Sequence, residues 1–165
     1  MRKKSNTTTY IVRIAFKNME ENIFFYLPEE EAERLEYELD VWDRGDSFLT
    51  FTDISGALIC VNTKMVQSIY SLFEVRPIDI KSDDEDDESW IVAIQLADTE
   101  LLYIQAESPE AAMSLYSKIT GTFVNPRFLS LEDCDGETFF FNADELLYLK
   151  IPKAIMDEIS SEDDE

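Results

Sequence analysis

The residues best equipped for chemistry in this chain are two cysteines and an abundance of carboxylates. Cys60 lies in the apolar run Ile59-Cys60-Val61, a setting in which a thiol packs as a small hydrophobe. Cys134 lies in Asp133-Cys134-Asp135-Gly136, where neighbouring carboxylates would blunt a nucleophile. No position is histidine, so neither thiol has an imidazole base and no imidazole ligand is on offer. Two cysteines are too few for a four-ligand zinc site or a disulfide framework. The chain has neither a Gly-rich phosphate loop nor a Gly-x-Ser-x-Gly elbow. With 36 acids, no spacing singles out one pair as an acid and its base. The expectation is a protein that is not an enzyme and carries no cofactor.

One acidic stretch has a second reading. Asp133, Asp135 and Glu137 offer closely spaced oxygens of the kind that begin a helix-loop-helix calcium loop. The pattern then fails, because the aromatic run Phe139-Phe140-Phe141 follows where further ligands belong. A hairpin turn accounts for the same residues without metal. A calcium-binding acidic protein with ligands at this turn is kept as an alternative, as is a structural or assembly subunit with no small ligand.

The charge balance narrows the partner. Against 36 acids stand 14 Lys and Arg, giving a net charge of -22 in 165 residues. A chain so acidic has no basic face for phosphates, so direct nucleic-acid binding is not expected. The expected partner is a basic protein, and spaced carboxylates on a rigid body would suit an inhibitor or a DNA mimic. Candidate contacts are Glu29, Glu30 and Glu33 at a helix start, and the run Asp83, Asp84, Glu85, Asp86, Asp87 and Glu88. No apolar run reaches the ~20 residues of a membrane span, and no apolar stretch follows the basic start Arg2-Lys3-Lys4. The location expected is therefore cytoplasmic. Self-association stays open.

The elements that must position these residues emerge when the chain is slid against itself by 80 residues. Residues 9–72 then match 89–152 at twelve positions without a gap, among them Ile11, Val12, Ile14, Ala32, Leu35, Phe48, Leu49, Asp53, Gly56 and Asn62. Each half alternates as a strand over 10–17 or 90–97, turns, and continues as a second strand to Leu27 or Gln105. Pro28 and Pro109 then open helices, with Ala32, Leu35, Leu39 and Trp42, or Ala112, Leu115, Tyr116 and Ile119, at helical spacing. Gly45 and Gly121 suit the helix stops. A hairpin bent at Gly56 or Asp135-Gly136 follows, then a corner at Asn62 or Asn142 that suits a side-chain-capped turn, then a last strand.

The fold class read from this is α+β: a tandem duplication of a β-β-α-β-β-β module, its two pseudo-twofold-related copies packed as one compact body. The segments are a basic N-terminal stretch (1–8), module one (9–76), an acidic linker (77–88), module two (89–152) and an acidic tail (153–165). Both modules share the charge excess. The consecutive aromatics Phe24-Phe25-Tyr26 and Phe139-Phe140-Phe141 break alternation, which suggests strands buried on both faces, with a displayed aromatic patch as the alternative. Because like charges separated by less than about 10 Å repel through 0.1 M salt only weakly screened, and those beyond it are screened, added salt is expected to stabilise the fold. Thermal melting in low and moderate salt checks this: the midpoint rises, or the acids are already paired.

Overall fold

A computed structural model describes residues 7–17, 19–41, 48–78, 90–120 and 127–162. The described residues form a mixed α+β protein with ten strands in antiparallel sheets and three α-helices. The order is β1 (Thr7–Phe16), β2 (Ile23–Pro28), α1 (Glu29–Asp40), β3 (Phe48–Thr52), β4 (Leu58–Asn62) and β5 (Val66–Ile78). It continues with β6 (Ile91–Leu96), β7 (Leu102–Gln105), α2 (Pro109–Thr120), β8 (Phe128–Glu132), β9 (Thr138–Asn142), β10 (Leu146–Ile151) and α3 (Lys153–Glu162). A single 3-10 turn joins β4 to β5 and another joins β9 to β10. Trp42, Gly45 and Gly121 lie outside the described residues, and the α1 cap is Val41.

Local chemistry accounts for the junctions. Pro28 caps α1 with an extended backbone, and Glu29, Glu30 and Glu31 follow in the first turn, where the helix dipole favours negative charge. Asp53 Oδ1 accepts from the amides of Ser55 and Ala57, at 2.9 and 3.1 Å. Asp133 Oδ1 does the same for Asp135 and Glu137, at 3.0 and 2.9 Å. Each turn ends on a glycine with positive φ, Gly56 at 86° and Gly136 at 81°. These are three-residue hairpin loops with a left-handed glycine, one residue longer than the two-residue Asp-Gly turn.

The sheet order β3-β4-β10-β6-β7 places β4 and β10 side by side in the centre. Their register is Val61 on Tyr148, Cys60 on Leu149, Ile59 on Lys150 and Leu58 on Ile151. Both strands read as near-continuous apolar runs, as strands covered on two faces must. One face carries Leu49, Phe51, Ile59, Val61 and Tyr148 into a core with Val12, Ile14, Phe16, Phe25, Leu27, Ala32 and Leu35. There Phe25 packs edge-on against both Phe51 and Tyr148, with centroids 5.3 and 5.2 Å apart. The other face carries Leu58, Cys60, Val92, Ile94, Leu149 and Ile151 into a second core, closed by α2, the β8–β9 hairpin and α3. Helix α3 lies within the stretch that reads as an acidic tail. Ile155, fully buried, is what holds it.

Two further expectations need correction. The aromatic runs do not lie in strands buried on both faces. Phe25 and Phe141 are buried, while Phe24 is 49% exposed, Tyr26 41% and Phe140 65%. These strands alternate normally, because β2 and the β8–β9 hairpin each have only one face against a core. The offset of 80 also slips once. In β1–β2, Val12 faces Phe25, whereas in β6–β7 Val92 faces Ile104, not Gln105. The second hairpin is one residue shorter, with Asp98 taking a left-handed backbone (φ 59°) in its turn. The extra residue returns before Pro109, and the helices fall back into step.

The corner asparagines do unequal work. Asn62 Oδ1 accepts from Lys64 N at 3.2 Å, and Asn142 Oδ1 accepts from Asp144 N at 2.9 Å, so each caps its own turn. Asn62 is also buried, and its Nδ2 donates to Leu146 O at 2.8 Å and Ala143 O at 3.3 Å, tying β4 to the start of β10. Asn62→Ala would strand a buried carbonyl and cost about 1–3 kcal/mol. Asn142→Ala would cost at most about 1 kcal/mol, the value of a cap. Denaturant titration of the two variants checks the difference.

Candidate protein-interaction surface

Many charges among the described residues already have structural tasks. Arg34 bridges Glu31 and Glu38, each at 2.6 Å, and donates to Thr50 O at 3.0 Å. Glu31 accepts from Thr52 N at 3.4 Å. Together these two side chains close the outer edge of β3, which would otherwise present unpaired backbone groups. Asp53 pairs with Lys150 at 3.4 Å, and Lys153 lies 3.9 Å from Asp157. The Arg13 guanidinium stacks 4.7 Å above the Tyr70 ring.

The candidate contact residues divide three ways. Glu29, Glu30 and Glu33 are exposed on the first turns of α1. Desolvation, then the charge and hydrogen bond of Glu29, and lastly Glu33, raise the Tyr10 hydroxyl above its ordinary pKa. Glu33, Glu36 and Asp40 line a hollow of about 690 Å³ on the same helix, beside Tyr37 and Leu39. The run Asp83, Asp84, Glu85, Asp86, Asp87 and Glu88 lies outside the described residues. Asp133, Asp135 and Glu137 meet in the β8–β9 turn, where one oxygen of Asp133 is held by two backbone amides. Among the described residues, no group of three His, Cys, Asp or Glu is arranged to hold a metal.

Cys60 is fully buried between β3 and β10, and burial pushes its thiol up to about 12, so it does not ionise near neutrality. Cys134 is exposed, and its amide donates to Gln105 O at 3.0 Å. No helix among the described residues is long and apolar enough to cross a membrane.

Of three further features, sequence reasoning offers the two aromatic patches only as its alternative and misses the third. Phe24 and Tyr70 flank Arg13 on neighbouring strands of the β2-β1-β5 sheet, forming an exposed aromatic row across it. Phe128, 57% exposed, and Phe140 form a second patch on the β8–β9 hairpin. Alternation within Phe24-Phe25-Tyr26 and Phe139-Phe140-Phe141 is the signal for both, once each strand is known to have one buried face. The third is a carboxyl pair: Glu107 and Glu132 meet where Glu107 N donates to Glu132 O at 3.0 Å. The hydrogen bond and charge of Glu132, then desolvation, then Asp133, raise the Glu107 pKa.

A carboxyl whose folded pKa lies above its unfolded value binds more protons in the folded state, so stability falls as pH rises between the two values. Glu107→Gln is therefore expected to raise the melting midpoint at pH 7. It is also expected to flatten the gain in stability seen when wild type is taken down from pH 7 to the ordinary carboxylate range. Melting curves of both proteins across that range check this; equal slopes would remove the pair from the account. Compared with known proteins, the chain matches no family model, no curated protein and no solved structure.

Proposed function

We propose that this chain is a non-enzymatic interaction module, built by tandem duplication, that binds a basic protein partner and not nucleic acid itself. The observation that carries the binding reading is how the charges divide. Arg34, Lys150 and Lys153 are engaged by Glu31 and Glu38, Asp53 and Asp157, while Glu29, Glu30 and Glu33 stand exposed on one helix. Lys17, Lys64, Lys118 and Arg127 are exposed as well, but the described residues hold 24 acids against nine bases, so the field of the folded surface is negative and a basic partner would gain association rate from it. The run Asp83 to Glu88 adds charge, and the folded acids add register.

The duplication is supported by shared local geometry as well as by sequence. Asp53 and Asp133 hold their turns with the same pair of bonds, and Asn62 and Asn142 cap the same corner. β5 pairs with β1 as β10 pairs with β6, with a register shift at the same place in each pair, between Ala15 and Phe16 or between Leu146 and Tyr148. In this reading the modules span 9–76 and 89–152, with 77–88 between them.

The test is the association rate of a partner captured from the source cell, measured over a salt series. The expected rate falls steeply as salt rises, because screening removes steering. A rate indifferent to salt would overturn the reading and direct attention to the aromatic row at Phe24, Arg13 and Tyr70. If the partner also binds DNA, mutually exclusive binding would identify the module as a DNA mimic; simultaneous binding would leave it a partner of basic surfaces only.

A further inference from the structure

The β8–β9 hairpin is a two-stranded sheet, and β9 pairs with no strand other than β8 among the described residues. Its counterpart in the order of elements, β4, is paired on both sides, by β3 and by β10. The contrast extends to the side chains. In β4, Leu58 and Cys60 point into a core and are 8% and 0% exposed. The corresponding face of the hairpin shows Phe140 and Phe128 to solvent at 65% and 57%. Asn62 spans to the strand beside it, whereas among the described residues Asn142 caps only its own turn.

Backbone geometry says which groups are open. Asp133 N donates to Glu137 O and Ala143 N to Arg127 O, so the bonded pairs alternate between them. Phe139 and Phe141 therefore turn their amides toward β8, and Thr138, Phe140 and Asn142 turn theirs away. β9 itself contains no lysine and no proline, and among the described residues no helix side chain bonds to this edge as Glu31 and Arg34 do to β3.

The geometry points to β9 as an acceptor for an added strand from the basic partner. This rests on the proposed basic partner and names where it docks. The occupant follows from charge. Residues 127–145 hold six acids and one base, Arg127, and exposed acids stand at both ends of the open edge, Glu137 before β9 and Asp144 and Glu145 after it. A five-residue strand spans about 17 Å. The fitting segment is extended, with apolar side chains to cover Phe140 and a Lys or Arg at each end. A second copy of this chain would bring its own charge of -22 to that edge.

The test uses the full chain and the synthetic peptide Lys-Val-Thr-Val-Thr-Val-Arg, with a version carrying Glu at both ends as its control. The basic peptide is expected to slow hydrogen exchange at the amides of Thr138, Phe140 and Asn142. The acidic peptide is expected to bind at least about tenfold more weakly, as is the basic one to Phe140→Lys, a change at a solvent-exposed position. If those three amides are protected before any peptide is added, the edge is already covered and the inference falls. Sedimentation over a concentration series would then tell a second copy from closure within one chain. If the basic peptide binds without protecting these amides and binds Phe140→Lys equally well, edge docking is overturned while the basic partner stands. If both peptides protect the edge equally, strand addition stands and the basic partner falls.

Discussion

The antiparallel ladder between β4 and β10 is the interaction on which the rest of this structure depends. It joins a strand from the first half of the chain to one from the second, and its two faces supply the walls of two separate cores. Apolar residues on both faces follow directly, since neither strand has a solvent side. Asn62 closes the end of the ladder from within, and a buried amide that satisfies two carbonyls is costly to replace. Ile155 of α3, the two helices and the outer hairpins are all arranged around this sheet. Neither half has a complete core without the other's central strand, because Leu58 and Cys60 pack among second-half residues and Leu147 and Tyr148 among first-half ones.

The outer strands show how charge and edge are managed together. At β3 a glutamate and an arginine from α1 reach across to the open backbone, and the same ion pairs neutralise part of the helix. Exposed acids also line the first turns of α1, where Glu29 meets the Tyr10 hydroxyl, and the ends of the β8–β9 hairpin. In the second half, Ala111 and Ser114 stand where α1 has Glu31 and Arg34, so the hairpin lacks that clasp. Lys118 reaches only as far as Ser130 Oγ, at 3.5 Å. Two halves with the same order of elements thus treat their edges differently, because a few helix positions differ.

Much of the fold was legible from periodicity and turn chemistry. Strand alternation, Pro28 and Pro109 at the helix starts, the left-handed glycines and the capping asparagines are all local, and each appears where its residues place it. The one-residue slip in β7 was not legible, since apolar residues at Leu101, Leu102 and Ile104 fit two registers equally well. Helix α3 was not legible because a short segment with three acids between 153 and 162 resembles a solvated tail until Ile155 has a core to enter.

The sequence by itself determined the α+β class, the order of the elements as far as β10, the net charge and the absence of histidine chemistry. These depend on residue types and their spacing along the chain. Tertiary structure alone decided that β10 would sit between β4 and β6, that Asn62 but not Asn142 would reach across a strand, and that Phe140 would face solvent. Pairing between distant strands is fixed by which faces can be buried together. A strand such as Thr138–Asn142 carries the same residues whether its second edge is paired or open.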